Sequence, residues 1–430
     1  MQKIKRDAAA LTLLRVLVLA VVSEGLPIGA SAQVPSDTLH LVDAVAIAHD
    51  ANPMLQAVRL RADAAAERAP QAGAMPDPLL AFGLSNRPVD NFGTAQPMTM
   101  NVIQLTQRFP WPGKLGFAHE QAEHLASAES LEADEVEQQL IARVKSVYYR
   151  LAHVDRSLDI MQETRELLRN FFEVSSTLYA VGAGLQQDVL QAQIAIAQMT
   201  EDITVVQQDR VAMAARLNAL LGRYATVPVP GLELPEPVGE LPPVDSLIGL
   251  AAGMRPALAA ARERVLAAEA GYRAARRQLY PDIAITLGYG QRPQFVDFVT
   301  VMVGVSIPLF AGSRQLPLRR EMEAMQSMEQ AREQNLYNET FAQLTELRAE
   351  AERAQNLSGL YANAVLPQAR AAVESALSAY RVGRVDYMTL VTNQMTVNRY
   401  EIESVRLAAD YHRALARLEA LVGTDLGVGP

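Results

Sequence analysis

The sequence contains no cysteine and few aromatic residues, and both shortages narrow what the protein can be. Its 430 residues include no Cys and one Trp, and aromatic residues make up 6% of the chain. Disulfides, thiolate metal sites, Cys nucleophiles and lipidated cysteines are therefore excluded. Few aromatics leave little material for large globular cores. The net charge of −9 argues against nucleic-acid binding, because phosphate contacts need a basic surface.

Long apolar runs are also missing beyond the N-terminus. There, Lys3, Lys5 and Arg6 precede an apolar stretch, and Ala30-Ser31-Ala32 has the A-x-A pattern of a cleavage site. Residues 1–32 are therefore predicted to be a signal peptide, with an uncleaved anchor or a cytosolic helix as the alternative. No later segment has the roughly 18 consecutive apolar residues of a transmembrane helix.

The sequence carries none of the common enzyme fingerprints. G-x-S-x-G, H-E-x-x-H, the P-loop and the dinucleotide-binding pattern are all absent, so no catalytic activity is expected. The six His residues are scattered, and no metal or cofactor site is expected.

The chain contains an internal repeat. Landmarks recur at nearly the same separation: Pro53 with Pro256, Pro78 with Pro281, and Tyr179-Ala-Val-Gly182 with Tyr380-Arg-Val-Gly383. Two separate domains of one type are the competing explanation. The predicted organisation is a signal peptide 1–32, a first repeat 33–224, a Pro-rich linker 225–244, a second repeat 245–424 and a C-terminal tail 425–430.

Each half predicts a helix, two strands, a very long helix, a turn and a further helix. The first helix is expected over 41–69. The strands are predicted at 79–87, 97–109, 282–291 and 298–309. Alternation of large apolar with small or polar residues is clearest from Ile283 to Tyr289. Strands of about ten residues suit a tilted membrane span, and a small soluble sheet is the alternative.

Four strands cannot close a membrane barrel, so strands in a membrane would require several chains. The long helix is expected from Lys114 to Val181, and its counterpart from Leu316 to Val382 with a kink at Pro367. Apolar residues of the first long helix form a heptad seam: Leu140, Val144, Val147, Leu151, Val154, Leu158 and Met161. A coiled-coil scaffold without a pore is the plain alternative to a helical tube.

The sequence resembles the TolC-like outer-membrane factor family over essentially the whole mature chain. The segments that carry the resemblance are Leu41 to Pro53, Gln107-Arg-Phe-Pro-Trp-Pro-Gly-Lys114, Ile307-Pro-Leu-Phe-Ala-Gly-Ser-Arg314 and the two Tyr-x-x-Gly turns. The resemblance implies a mainly α fold with a small β part. It also implies a homotrimer whose chains each give four strands to a twelve-stranded outer-membrane barrel, above a periplasmic α-barrel.

The resemblance also implies that the protein is an efflux channel in the outer membrane. Its expected partners are outer-membrane lipid, a periplasmic adaptor and a proton-driven inner-membrane pump of the RND type. The segment FPWPGK is similar to members that export heavy metals, although drugs are also possible substrates. A type I protein secretion outlet has the same fold and stays open as an alternative.

Three groups of residues are the candidate functional positions. The first group is expected to form the strand-to-helix connections at the membrane–water interface. It comprises Phe109, Pro110, Trp111, Pro112, Gly113, Pro308, Phe310 and Gly312. For Trp111, an ordinary core position is the alternative. The adaptor is expected to contact the tips at Gly182, Ala183, Gly184, Gly383 and Arg384. The resemblance suggests a gate at Asp188, Asp386, Arg381, Thr389 and Thr392, with the acids paired with Arg381 or Arg384; solvated charges at helix N-termini are the alternative.

Overall fold

The computed structural model describes residues 38–90 and 92–427. The predicted signal peptide 1–32 and the last residues of the predicted tail lie outside the described residues. The elements below all belong to one unit of the chain, Leu39–Pro430.

In the first half of the chain, short helices lead into two strands, and a helix of 67 residues follows. The elements are α1 (Leu41–Ala51), α2 (Pro53–Ala66), α3 (Arg68–Gly73), β1 (Leu79–Ser85), β2 (Met100–Phe109), α4 (Lys114–Ala180) and α5 (Gln186–Leu220). At about 1.5 Å per residue, α4 is roughly 100 Å long.

The second half has a similar order of elements. They are α6 (Val244–Met254), α7 (Pro256–Arg277), β3 (Asp282–Gln291), β4 (Phe298–Ser306), α8 (Gln315–Leu360), a π-helix (Tyr361–Val365), α9 (Leu366–Arg381) and α10 (Tyr387–Val422).

The first helix is not continuous, so the prediction of one helix over 41–69 is wrong. Asn52 has an extended backbone between α1 and α2. Its Oδ1 accepts hydrogen bonds from the backbone N–H groups of Met54 and Leu55, at 3.0 and 3.2 Å. Pro53 follows at the first helical position, where a missing N–H costs nothing. The Asn-Pro pair therefore ends one helix and caps the next.

Three of the four strands are shorter than predicted. β1 ends at Ser85, because Asn86 takes a left-handed φ of 54°. β2 begins at Met100 rather than at residue 97. β4 ends at Ser306, shortly before Pro308, which has no N–H to donate to a ladder. β3 has the predicted bounds.

The four strands form one antiparallel sheet in the order β1-β2-β3-β4. One row across the sheet pairs Leu80 with Leu105, Leu105 with Leu287, and Leu287 with Val301. The β2–β3 pairing joins the two halves of the chain. Among the described residues, β1 and β4 each have a neighbouring strand on one side only.

The heptad seam of α4 is the centre of the helical packing. Five of the seven predicted seam residues are buried: Leu140, Val144, Leu151, Val154 and Leu158. Val147 and Met161 are partly buried against the same clusters. One apolar cluster gathers α1 and α5 around α4, and another joins α4 and α5 to α9 and α10. The long helix is thus stabilised by partners along its length.

A π-helix interrupts the second long helix near the kink predicted at Pro367. α8 ends at Leu360, and the five residues Tyr361–Val365 form the π turn before α9 begins. Pro367 has no N–H to donate to the carbonyl of Asn363, so the regular ladder must be interrupted here.

Residues 225–243 of the Pro-rich linker form no helix and no strand longer than a single bridge residue, and hydrogen bonds attach them to the helices. The hydroxyl of Tyr148 donates to the carbonyl of Leu39 at 2.8 Å and accepts from the N–H of Glu233 at 3.1 Å. The hydroxyl of Tyr411 donates to the carbonyl of Val238 at 3.1 Å. These bonds attach the connection between the halves to α4 and α10.

Replacing Tyr148 with Phe tests this attachment. Tyr148 is 1% exposed, and burial raises the pKa of its hydroxyl, which therefore stays protonated at neutral pH. Tyr148→Phe leaves the buried carbonyl of Leu39 and the part-buried N–H of Glu233 without their partner, so we expect a loss of about 1–3 kcal/mol in unfolding free energy. Thermal unfolding of the purified protein measures the change. Tyr224→Phe, at a residue 86% exposed, is the control, and equal midpoints for both variants would contradict the assignment.

Candidate functional site: sheet, junction and hairpin tips

One face of the sheet is apolar across all four strands and is exposed. Phe82 is 72% exposed and Val299 is 77% exposed. The polar Asn101 and Gln107 of β2 also lie on this face. Its apolar members are Leu80, Phe82, Leu84, Ile103, Leu105, Phe109, Ile283, Ile285, Leu287, Tyr289, Val299, Val301, Val303 and Val305. An apolar surface of this extent is typical of contact with lipid or with another protein.

The opposite face carries mostly small or polar side chains. Gln104, Thr106, Thr286 and Thr300 lie on it, and the hydroxyls of Thr106 and Thr286 are 2.9 Å apart. Lys114, at the start of α4, anchors the end of this face through Asp282. An apolar face backed by a polar face is the pattern of a barrel wall between lipid and water.

Asp282 joins the two halves where the strands become helices. Its Oδ1 accepts from the backbone N–H of Trp111 and from Nζ of Lys114, both at 2.8 Å. The same Nζ donates to the carbonyl of Tyr280 at 3.0 Å, and the Tyr280 ring stacks on the Trp111 ring at 5.3 Å between centroids. Lys114 is buried, so the carboxylate compensates a charge that would otherwise be costly.

The predicted junction residues lie in two short connections. Phe109, Pro110, Trp111, Pro112 and Gly113 are at the end of β2 and before α4, and Pro308, Phe310 and Gly312 are between β4 and α8. Phe310 is 79% exposed, whereas Trp111 is half-buried against Tyr280. The placement of Phe109 and Trp111 at a membrane–water interface stays a prediction.

The two hairpin tips close in the same way. Gly182 and Gly383 take left-handed φ values of 73° and 68°, which favour glycine. Matching backbone hydrogen bonds follow, from the N–H of Ala183 to the carbonyl of Leu178 at 2.8 Å and from the N–H of Arg384 to that of Ala379 at 2.9 Å. These bonds cap α4 and α9 in the Schellman manner.

Each tip has an exposed valine, and both tips pack against the same apolar cluster. Val181 is 72% exposed, and Val382 is 68% exposed. Behind them, one apolar cluster contains residues of both hairpins, among them Phe171, Ala192, Met199, Tyr380 and Leu390. Both tips therefore lie at the same end of the molecule, where a partner could contact them together.

Asp188 contacts a tyrosine of the other hairpin. The Tyr380 hydroxyl donates to its Oδ2 at 3.1 Å, which links α9 to the first turn of α5. Burial and this carboxylate raise the pKa of Tyr380, and the same two causes raise the pKa of Tyr387 to about 12. Both phenols therefore stay protonated at neutral pH.

The remaining gate candidates lie apart from this contact. Asp386 caps α10, accepting from the N–H of Thr389 at 2.8 Å, and Thr389 lowers the pKa of that carboxyl. Thr392 is exposed further along α10. Among the residues that the structure describes, neither Arg381 nor Arg384 forms an ion pair with either acid. Sequence reasoning treated Tyr380 only as part of a repeated turn and missed it as the partner of Asp188.

Within residues 38–90 and 92–427, no single helix is long and apolar enough to span a membrane. α6 and α7 pass that test only together, as a pair bent by 48°. The same residues contain no cluster of three or more His, Asp or Glu side chains arranged to hold a metal ion.

A family model described as outer membrane efflux protein matches residues 45–223 and 247–424. The chain belongs to this family. Solved structures share its fold over almost the whole chain. The outer-membrane channel OprN has a TM-score of 0.79 and 18% identity, with 91% of each chain covered. The outer membrane protein VceC from Vibrio cholerae has a TM-score of 0.76 and 19% identity, covering 89% of this chain and 96% of VceC.

A curated relative is the fusaric acid resistance protein FusA of Burkholderia cepacia. It is 30% identical over an alignment of 219 positions, which covers 47% of this chain and 40% of FusA. The match thus spans less than half of that relative's length. Family membership confirms the resemblance found in the sequence and the mainly helical fold that goes with it.

Proposed function

We propose that the protein is the outer-membrane channel of a tripartite efflux system, passively conducting substrates to the exterior. The exposed apolar face of the four-stranded sheet is the observation that carries this proposal. In lipid every backbone N–H needs a partner within the protein, yet in the part of one chain that the structure describes β1 and β4 each have a free edge. Three copies, each giving four strands, would close these edges in one barrel.

Strand direction favours this closure. Each strand is antiparallel to the next, so β4 runs opposite to β1. The β4 edge of one copy can therefore pair with the β1 edge of another in the same antiparallel manner as within the chain. Below the sheet, the long helices would continue the conduit through the periplasm, with Phe109 and Trp111 at the membrane boundary.

The hairpin tips are the proposed contact with a periplasmic adaptor, which would connect the channel to an inner-membrane pump. Val181 and Val382 offer exposed apolar side chains on a rigid, glycine-capped turn. Buried apolar anchors contribute most to such interfaces.

The proposed substrate follows from the curated relative. Its name supports an organic acid such as fusaric acid as the exported compound, and the FPWPGK junction supports heavy-metal cations as the competing class. The channel itself needs only weak contacts with either, since tight binding would block release.

Complementation tests the channel function and the role of the tips together. A strain lacking this channel should lose resistance to fusaric acid or to copper and zinc salts, and the wild-type gene should restore it. Val181→Asp with Val382→Asp should lower the tolerated concentration at least fourfold, because charge at the tips opposes apolar docking. Val89→Asp with Val296→Asp, at residues 95% and 81% exposed in the loops at the other end, is the matched control. Full resistance in the deleted strain would overturn the proposal.

The Tyr380–Asp188 bond is the proposed closing contact of the gate. Tyr380→Phe removes the donor and keeps the ring, and a hydrogen bond to a charged acceptor is worth about 1.5–3 kcal/mol. We expect the open population to rise about tenfold or more, measured as single-channel conductance in planar bilayers. Tyr179→Phe at the other tip is the control, since its ring is 48% exposed. Unchanged conductance in Tyr380→Phe would rule out this gate.

A further inference from the structure

A pocket lined by arginines lies where α4, α7 and α8 meet below the sheet. It has a volume of about 500 Å³, and its lining includes Phe117, Arg273, Arg276, Arg277, Tyr280 and Arg319. α7 supplies three of the arginines and α8 supplies the fourth, so a single chain provides all the positive charge of the cavity. We call this cavity the arginine pocket.

The positive charge of the arginine pocket is largely uncompensated. Among the described residues, Arg273 is the one pocket arginine with an acidic partner, Glu120 at 2.7 Å, and none of the lining residues found there is a carboxylate. Arg276, Arg277 and Arg319 form no ion pair with any residue that the structure describes. The Nε atoms of Arg273 and Arg319 are buried without a hydrogen-bond partner. In a protein of net charge −9, a cluster of arginines with two buried, unpartnered Nε atoms is a candidate site for an anion.

Aromatic rings hold two of the guanidinium groups in place. Arg273 and Arg277 lie over the Phe117 ring, 5.2 and 5.8 Å from its centroid, and Arg277 also lies 5.7 Å from the Tyr280 centroid. Stacking fixes the planes of these groups, and apart from the Arg273–Glu120 bond it leaves N–H donors directed at the cavity available. Planar forks of this kind match the oxygens of phosphate bidentately.

The pocket lies at the sheet end of the helices. Tyr280 precedes β3 by two residues, and Phe117 is in the first turn of α4. The connection at this end between β4 and α8 exposes Leu309 and Phe310, at 80% and 79%. Basic side chains next to exposed apolar ones suit a phospholipid, whose phosphate lies beside its acyl chains.

We propose that the arginine pocket binds a phosphate group, either the headgroup phosphate of a membrane phospholipid or free phosphate. The lipid source rests on the membrane location proposed above, whereas binding of free phosphate does not. A protein that forms no channel could therefore still bind phosphate, and a channel could fail to bind it, so the two proposals fail separately.

Purified full-length protein is the material for the test. Native mass spectrometry measures retained phosphatidylglycerol against diacylglycerol, which has the acyl chains but no phosphate, both added in detergent. A thermal-shift titration with inorganic phosphate measures the free anion. Arg277→Gln with Arg319→Gln should weaken binding at least tenfold, since charge-assisted hydrogen bonds are lost. Arg277→Lys with Arg319→Lys keeps the charge and should lose less.

Arg223→Gln with Arg353→Gln is the matched control, because both arginines are exposed and lie outside the pocket. It should leave binding unchanged. Binding of phosphatidylglycerol that only the pocket variants weaken supports a lipid site, and binding of inorganic phosphate alone supports a free-phosphate site. No binding of either probe, or equal loss in the pocket and control variants, would overturn the proposal.

Discussion

The pairing of every backbone N–H is the constraint on which the rest of the structure depends. A four-stranded sheet with an exposed apolar face has two edges that residues 38–90 and 92–427 of a single chain leave open. In lipid those edges must meet other strands, so the proposed assembly follows from the sheet and not from the helices. Because β1 and β4 run in opposite directions, the β4 edge of one copy can pair with the β1 edge of the next, and copies of one chain can close the barrel.

The helices below the sheet meet a related requirement. The 67-residue helix α4 is stabilised by successive apolar clusters along its seam. Asp282 and Lys114 connect the sheet to α4, and the Tyr380–Asp188 contact connects the hairpins at the far end. The molecule is therefore held at both ends by polar contacts between its halves, and between them by apolar packing.

Much of this could be predicted from the sequence, because the signals are local. Period-two alternation located β3, the heptad seam located α4, and Gly182 and Gly383 located the tips. The break at Asn52 also had a local signal, an N-cap residue followed by proline, which the reading of one helix overlooked. Contacts between distant residues had none: Asp188 and Tyr380 are 192 residues apart, and the arginine pocket forms only when α4, α7 and α8 pack together.

Cross-linking of the two sheet edges tests the central claim most directly. The chain has no cysteine, so introduced pairs are unambiguous. Leu80→Cys combined in turn with Val299→Cys, Val301→Cys and Val303→Cys should give, for at least one pair, a disulfide-linked trimer in outer-membrane fractions. Leu80→Cys with Leu287→Cys, a residue of the central strand β3, should give none. If all three edge pairs yield only monomer while the protein remains folded in the membrane, barrel closure through β1 and β4 is contradicted.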